Sequence, residues 1–145
     1  MNDHKGLIIK NHEHRKNRQK NIALHPWIFV TLNYLYCDLM GLMDTNLLKQ
    51  YLTGTVNGMK MNEYFLLGAA ILMEVPIVMV LLSRILKYKA NRWANLIAGL
   101  IMTLIQTATL FIGSPTKYYL FCSIIEIATT IFIIWYALKW KNTNT

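Results

Sequence analysis

Apolar residues fall in four long runs, Pro26 to Met43, Tyr64 to Leu86, Trp93 to Gly113 and Tyr118 to Trp140, with short polar stretches between them. Each is close to the roughly 20 residues that carry a helix across about 30 Å of hydrocarbon. The pattern predicts an all-α chain built as a bundle of four transmembrane helices. Residues 1–25 read as a basic tail, 26–140 as a single membrane domain and 141–145 as a second short tail. About 25 polar residues precede the first run, so the layout of a cleaved secretory signal is missing, and the first span is expected to act as its own insertion signal.

Polar positions inside the runs carry the functional information. Asp38, Glu74 and Glu126 interrupt the first, second and fourth runs, and each acid at that depth costs about a few kcal/mol on insertion scales. At about 1.5 Å per residue, Asp38 lies about 16 Å from Trp27 and Gln106 about 20 Å from Trp93. From the other side, Glu74 lies about 15 Å below Tyr64 and Glu126 about 12 Å below Tyr118. All four spans therefore give a polar side chain to one layer near the membrane midplane. The first span also carries Asn33, Tyr34 and Cys37, the third Asn95, Gly99 and Thr103, and the fourth Cys122 and Thr130, at helical spacings of three and four. Such stripes turn toward one another in hydrocarbon. The second span has no stripe: Glu74 stands almost alone, with Pro76 two residues on leaving the Leu72 carbonyl without its helical donor.

Within the spans lysine and arginine occur only at the ends, as Arg84 and Lys139, far from the depth of these acids. Carboxyls gathered in a low dielectric cannot all ionise, so at least one is expected to carry a proton near neutral pH, ready to exchange for a cationic ligand. Candidate ligand-binding residues are Asp38, Glu74 and Glu126, with Asn33, Tyr34 and Gln106 orienting them. The competing reading of the same residues is a set of interhelical hydrogen bonds that fix register, each contributing around 1 kcal/mol.

Charge sets the orientation. Twelve of the fifteen lysines and arginines lie in the N-terminal tail, the loop from Arg84 to Arg92 and the C-terminal end, against Lys49, Lys60 and Lys117 on the other side. The positive-inside rule puts both termini in the cytoplasm. Trp27, Trp93, Trp135 and Trp140 fall at the same predicted interface, and Tyr64, Tyr118 and Tyr119 at the opposite one. The net charge of +8 is thereby explained by topology and anionic lipid, and nucleic acid is not expected as a partner. His4, His12 and His14 match no structural metal spacing, and the tail reads as disordered.

The chain has only two cysteines, Cys37 and Cys122, and no Cys-x-x-Cys pair for thiol redox chemistry. Their depths differ by about 9 Å, which argues against a disulfide. No phosphate loop, nucleophile elbow or haem-ligating histidine pair is present, so no catalytic residue, cofactor or metal is assigned. The loop between Asp44 and Asn62 carries Leu47, Leu48, Tyr51 and Leu52 on one face of a predicted short helix, with Gly54 and Gly58 at turns.

The segments Trp27 to Asp38, Leu67 to Pro76, Asn91 to Asn95 and Glu126 to Thr130 together resemble an uncharacterised bacterial family of small four-helix membrane proteins. That resemblance covers nearly everything after residue 25 and implies the fold and the membrane location. It carries Asn33, Asp38, Glu74 and Glu126 as motif positions and implies no activity. In architecture alone, the chain is similar to four-helix membrane proteins of the sterol-isomerase and sigma-2-receptor type, which keep acids in an intramembrane cavity.

The function expected is a multi-pass protein of the cell membrane whose carboxylate pocket binds, and in a proton-linked manner transports, a small cation or cationic amphiphile. The alternatives are a lipid-binding or isomerase-like protein and a structural or assembly subunit of a larger complex. Gly68, Ala69 and Ala70, or Ala94, Ala98 and Gly99, are small enough for the close helix contact of a homodimer.

Overall fold

The computed structural model describes residues 2–112 and 114–140; the expected tail at 141–145 lies outside the described residues. Seven elements follow one another: α1 (Asn2–Met43), α2 (Thr45–Leu52), β1 (Thr55–Val56), β2 (Met59–Lys60), α3 (Glu63–Ile85), α4 (Tyr88–Thr109) and α5 (Lys117–Leu138). Side-chain caps set two of the helix starts. Asp44 accepts from the backbone N–H groups of Asn46 (2.9 Å) and Leu47 (3.3 Å) to open α2, and Asn62 accepts from that of Phe65 (2.8 Å) to open α3. Between α2 and α3 a two-stranded hairpin pairs Thr55 with Lys60 and Val56 with Met59. Its turn is Asn57-Gly58, with φ of 47° and 82°, the two left-handed residues that match the twist of a tight hairpin.

Two features differ from the sequence expectation. The N-terminal tail is helical, because α1 runs without a break from Asn2 through Pro26 to Met43. Proline costs only the donor to the Ile22 carbonyl there, and the residues before it contain no further proline to stop the helix. The loop helix is present as predicted, but it connects to the hairpin, with the Gln50 side-chain oxygen accepting from the Asn57 N–H at 2.9 Å.

The four long helices pack side by side. α1 contacts α3 and α5, and α4 contacts α5 and α3. Trp27, Val30, Tyr34, Met79, Ala98, Met102 and Ile133 form the central core, drawn from all four. Trp27, expected at a membrane interface, is fully buried among the helices. Its indole N–H donates to Asn95 Oδ1 at 2.7 Å; the Asn95 amide donates to both oxygens of Asn91 at 2.7 Å; and the Asn91 amide donates to the Ser83 carbonyl at 2.9 Å. This ladder ties α1, α3 and α4 together at the end where α3 finishes and α4 begins. Trp140 is buried as well, stacked on Tyr88 at 5.2 Å between ring centroids, while Trp93 and Trp135 are exposed. Arg92 closes the same end of α5 by donating to the carbonyls of Ala137 (3.1 Å) and Leu138 (3.4 Å), where a cation is favoured by the helix dipole.

α3 and α5, of 23 and 22 residues, are each long and apolar enough to cross a membrane. The far half of α3 stands clear of its neighbours, since every residue from 63 to 71 is exposed.

The two groups of small residues behave differently. Gly99 is buried where α4 meets α5, and a Cβ there would lie 2.9 Å from Ile134 Cγ1; at Gly68 it would meet open space. Ile134 is β-branched and stiff at χ1, so the helices themselves must give way. Gly99→Ala should lower stability by about 1–3 kcal/mol through overpacking, whereas Gly68→Ala should leave it unchanged or raise it, as read by thermal unfolding in detergent.

Candidate functional site

Four of the six predicted residues line one hollow. A cavity of about 130 Å³ between α1, α3, α4 and α5 is bounded by Tyr34, Asp38, Gln106 and Glu126, and by Cys37, Leu72, Met73, Met102, Ile105, Thr109 and Tyr119. The residues that counting along the helices placed at one depth thus meet there, with one exception. Glu74 is exposed and is not on this wall. It lies about 140–180° around α3 from Pro76, Met79 and Ser83, the residues that α3 buries against the bundle. The expectation that three acids share the chamber is corrected to two. Leu72, whose carbonyl loses its helical donor to Pro76, and Met73 represent α3 instead.

Glu126 is the centre of the site, at 1% exposure. Its Oε1 accepts from the Asn33 amide at 3.2 Å, and the same amide reaches the Cys122 carbonyl at 3.4 Å. Asn33 thereby orients the carboxyl from α1 without lining the hollow. The second oxygen, Oε2, is buried with no hydrogen-bond partner, and so is the hydroxyl of Tyr34, a residue 4% exposed. An orphaned buried polar group carries a desolvation cost of about 1–3 kcal/mol, and more when charged. Two such atoms in the wall of one cavity mark a place that a polar or cationic guest would complete. Asp38, one turn past Tyr34, lines the hollow from a more open position at the edge of α1.

Neutral hydrogen bonds hold the surrounding walls. Gln106 donates to Ser123 Oγ at 2.9 Å, Thr103 donates to Thr130 Oγ1 at 2.8 Å, and Tyr119 donates to Thr109 Oγ1 at 2.7 Å, each joining α4 to α5. Gln106 is therefore committed to the helix contact as well as to the cavity wall.

Sequence reasoning missed Thr109 and Tyr119, the latter read only as a boundary aromatic; its signal was the spacing of seven residues, two turns, from Glu126. It also set Cys37 and Cys122 at different depths. Their side chains meet across the α1–α5 contact as free thiols, because opposed helices need not be in register with their ends. Among the described residues, no three histidine, cysteine, aspartate or glutamate side chains group as metal ligands.

A second hollow of about 330 Å³ lies under α2 and the hairpin, bounded among others by Asp44, Gln50, Tyr51, Thr116 and Tyr118. Thr109 and Tyr119 border both cavities. The Tyr51 phenol is pushed above its ordinary pKa, first by burial and then by the charge of Asp38.

One family model, described as a family of unknown function (DUF6326), matches residues 9–145. No curated protein and no solved structure matches the chain.

The orphaned and the paired oxygens predict opposite effects on stability in buffer without added cation. Tyr34→Phe removes a hydroxyl that has no partner and should leave stability unchanged or raise it by up to about 1 kcal/mol, while Asn33→Leu strands Glu126 Oε1 and should cost about 1–3 kcal/mol. Chemical or thermal unfolding of the two purified variants reads both signs.

Proposed function

We propose that this chain, which belongs to that family of unknown function, crosses the cell membrane with four helices and holds one small cation in the carboxylate chamber in exchange for protons. α1 and α4 join α3 and α5 as spans in this reading. Its support is that all four long helices turn large apolar side chains outward, with Leu35 65%, Ile71 62%, Leu104 61% and Ile124 59% exposed. Water would penalise such a surface, and lipid would not. The positive-inside pattern then puts the Trp27–Asn95 end in the cytoplasm and the α2 end outside.

The observation that carries the ligand reading is the pair of orphaned oxygens, Glu126 Oε2 and Tyr34 OH, in a cavity whose rim carries the exposed Asp38. A monovalent cation gains ligands from all three and cancels charge that no lysine or arginine among the described residues pairs. Volume narrows the class. At about 130 Å³ the chamber is well below the roughly 300 Å³ at which pockets for drug-sized molecules begin, so a bare ion or a small ammonium fits, and a sterol or a whole amphiphile does not. Without a cation, protons fill its place. Binding therefore weakens as pH falls, since each proton taken up by Asp38 or Glu126 removes the charge that attracts the guest.

One observation favours a second reading, a helix partner in the membrane. Glu74 is exposed in the middle of an apolar α3 face, and its cost in hydrocarbon falls if another helix covers it. This reading is compatible with the first.

The cation reading is tested on the purified protein with alkali chlorides and methylammonium across pH. A cation at about 100 times its dissociation constant adds ~2.7 kcal/mol of stability, a thermal shift of several degrees. The shift should shrink toward low pH and vanish in Asp38→Asn/Glu126→Gln, which should remain folded; a shift that persists in the double variant overturns the reading. For the second reading, intramembrane cross-links formed by the natural chain should disappear in Glu74→Leu, and retention of the same cross-links would discard it.

A further inference from the structure

The two ends of the chamber are not equivalent. Toward the cytoplasmic end the next layer is the ladder of Trp27, Asn95, Asn91 and Ser83, each with no exposed surface and joined by hydrogen bonds of 2.7–2.9 Å. None of those four residues lines the chamber. Toward the other end the chamber is bounded by Thr109 and Tyr119, and the far side of the same two residues is the 330 Å³ vestibule. One hydrogen bond spans the partition, from the Tyr119 hydroxyl to Thr109 Oγ1 at 2.7 Å, and Thr109 in turn donates to the Gln106 carbonyl at 2.7 Å. Both are exchangeable contacts of flexible or rotating hydroxyls, unlike the packed indole and amides below.

The chemistry of the vestibule suits a cation that still holds water. Among the described residues lining it there is no lysine, arginine or histidine. Its one ionisable acid is Asp44, and Tyr51, Tyr118 and Tyr119 present rings whose faces attract cations. Thr116 Oγ1, also on this wall, is buried without a partner. The space is more than twice that of the chamber, as a partly hydrated ion requires when the inner site takes it bare. The roof is held in place by the Gln50 to Asn57 hydrogen bond and by α2 packing onto α1, where a Cβ at Gly41 would lie 3.3 Å from Leu47.

We propose that this vestibule is an outer binding site for the hydrated cation and its route to the chamber, with the cation passing between Tyr119 and Thr109. The proposal rests on the cation reading above. It excludes entry from the cytoplasmic end.

Cys37 lines the chamber and serves as a native reporter. The full chain in a Cys122→Ala background is exposed briefly to Ag⁺, a small thiol-reactive cation, in sealed vesicles of either orientation; Cys37 is then scored by its loss of alkylation after denaturation. If Cys122→Ala does not fold, the natural chain is used and Cys37 is resolved by peptide mass mapping. Reaction should be fast from the α2 side and absent from the opposite side. Tyr119→Phe should raise the rate roughly fivefold, the factor for a hydrogen bond of about 1 kcal/mol, and Tyr119→Trp should slow it. Equal labelling from the two sides, labelling only from the cytoplasmic side, a rate indifferent to Tyr119, or no labelling at all overturns the route. Thermal shifts with alkali chlorides are read in parallel. One-sided labelling without a shift keeps the route and removes the chamber as a resting site, while a shift with two-sided labelling keeps the chamber and removes the route.

Discussion

A carboxyl buried to 1% exposure with one of its oxygens unpartnered is the constraint around which the bundle is arranged. Glu126 can be held there only if its other oxygen is anchored and its surroundings are rigid enough to keep a space open beside it. Asn33 supplies the anchor from α1. Rigidity comes from the hydroxyl and amide contacts between α4 and α5, and from the close approach that Gly99 allows. A core built only for packing would close on such a void, because unfilled space and unpaired polar atoms both cost free energy. The hollow persists because its walls are bonded to each other and not to its contents.

The same logic explains the unequal ends. At the Trp27–Asn95 end, three helices are locked by indole and amide hydrogen bonds, although the Ser83 hydroxyl and the Trp140 indole N–H there are buried without a partner. At the α2 end, the first half of α3 is exposed, and the short helix and the hairpin roof the hollow beside the ends of α4 and α5. On the proposed cation reading, the hydrogen-bonded end is the closed one and the α2 end the open one, in keeping with binding regions drawn from the less stable parts of a fold.

Much of this was legible from residue order. Run lengths gave the four long helices, and counting at a fixed rise brought Asp38, Gln106 and Glu126 to one level, where they do share a cavity. Rotation about a helix axis was legible only where a helix carried a polar stripe. α1, α4 and α5 carry one, and their polar faces turn inward. α3 does not, and a lone Glu74 gives a depth without a direction; Pro76, the residue α3 buries, was the better guide to its inner face. Partnership across the bundle was not legible either. Trp27 looks interfacial by position, and only the presence of Asn95 at the same level on α4 makes it a core residue. The helical tail was missed because polar composition alone does not distinguish a solvated helix from a disordered segment.

Glu74 then poses its own question, because the argument that gathers Asp38 and Glu126 cannot reach it. Its depth is theirs, yet its side chain leaves the bundle on the opposite side of α3, beside a half-helix with no covering neighbour and with Gly68, Ala69 and Ala70 on its surface. If α3 crosses a membrane, an acid with no partner among the described residues is expensive there, and a contact outside the chain would lower that cost. Small residues permit close approach and an acid supplies a hydrogen bond in hydrocarbon, and together they make this face the part of the molecule least explained by the chamber. On the proposed membrane reading the chain thus has two acid-bearing surfaces set by different physics: an inner one whose buried oxygens a guest would satisfy, and an outer one that a neighbour would shield from lipid.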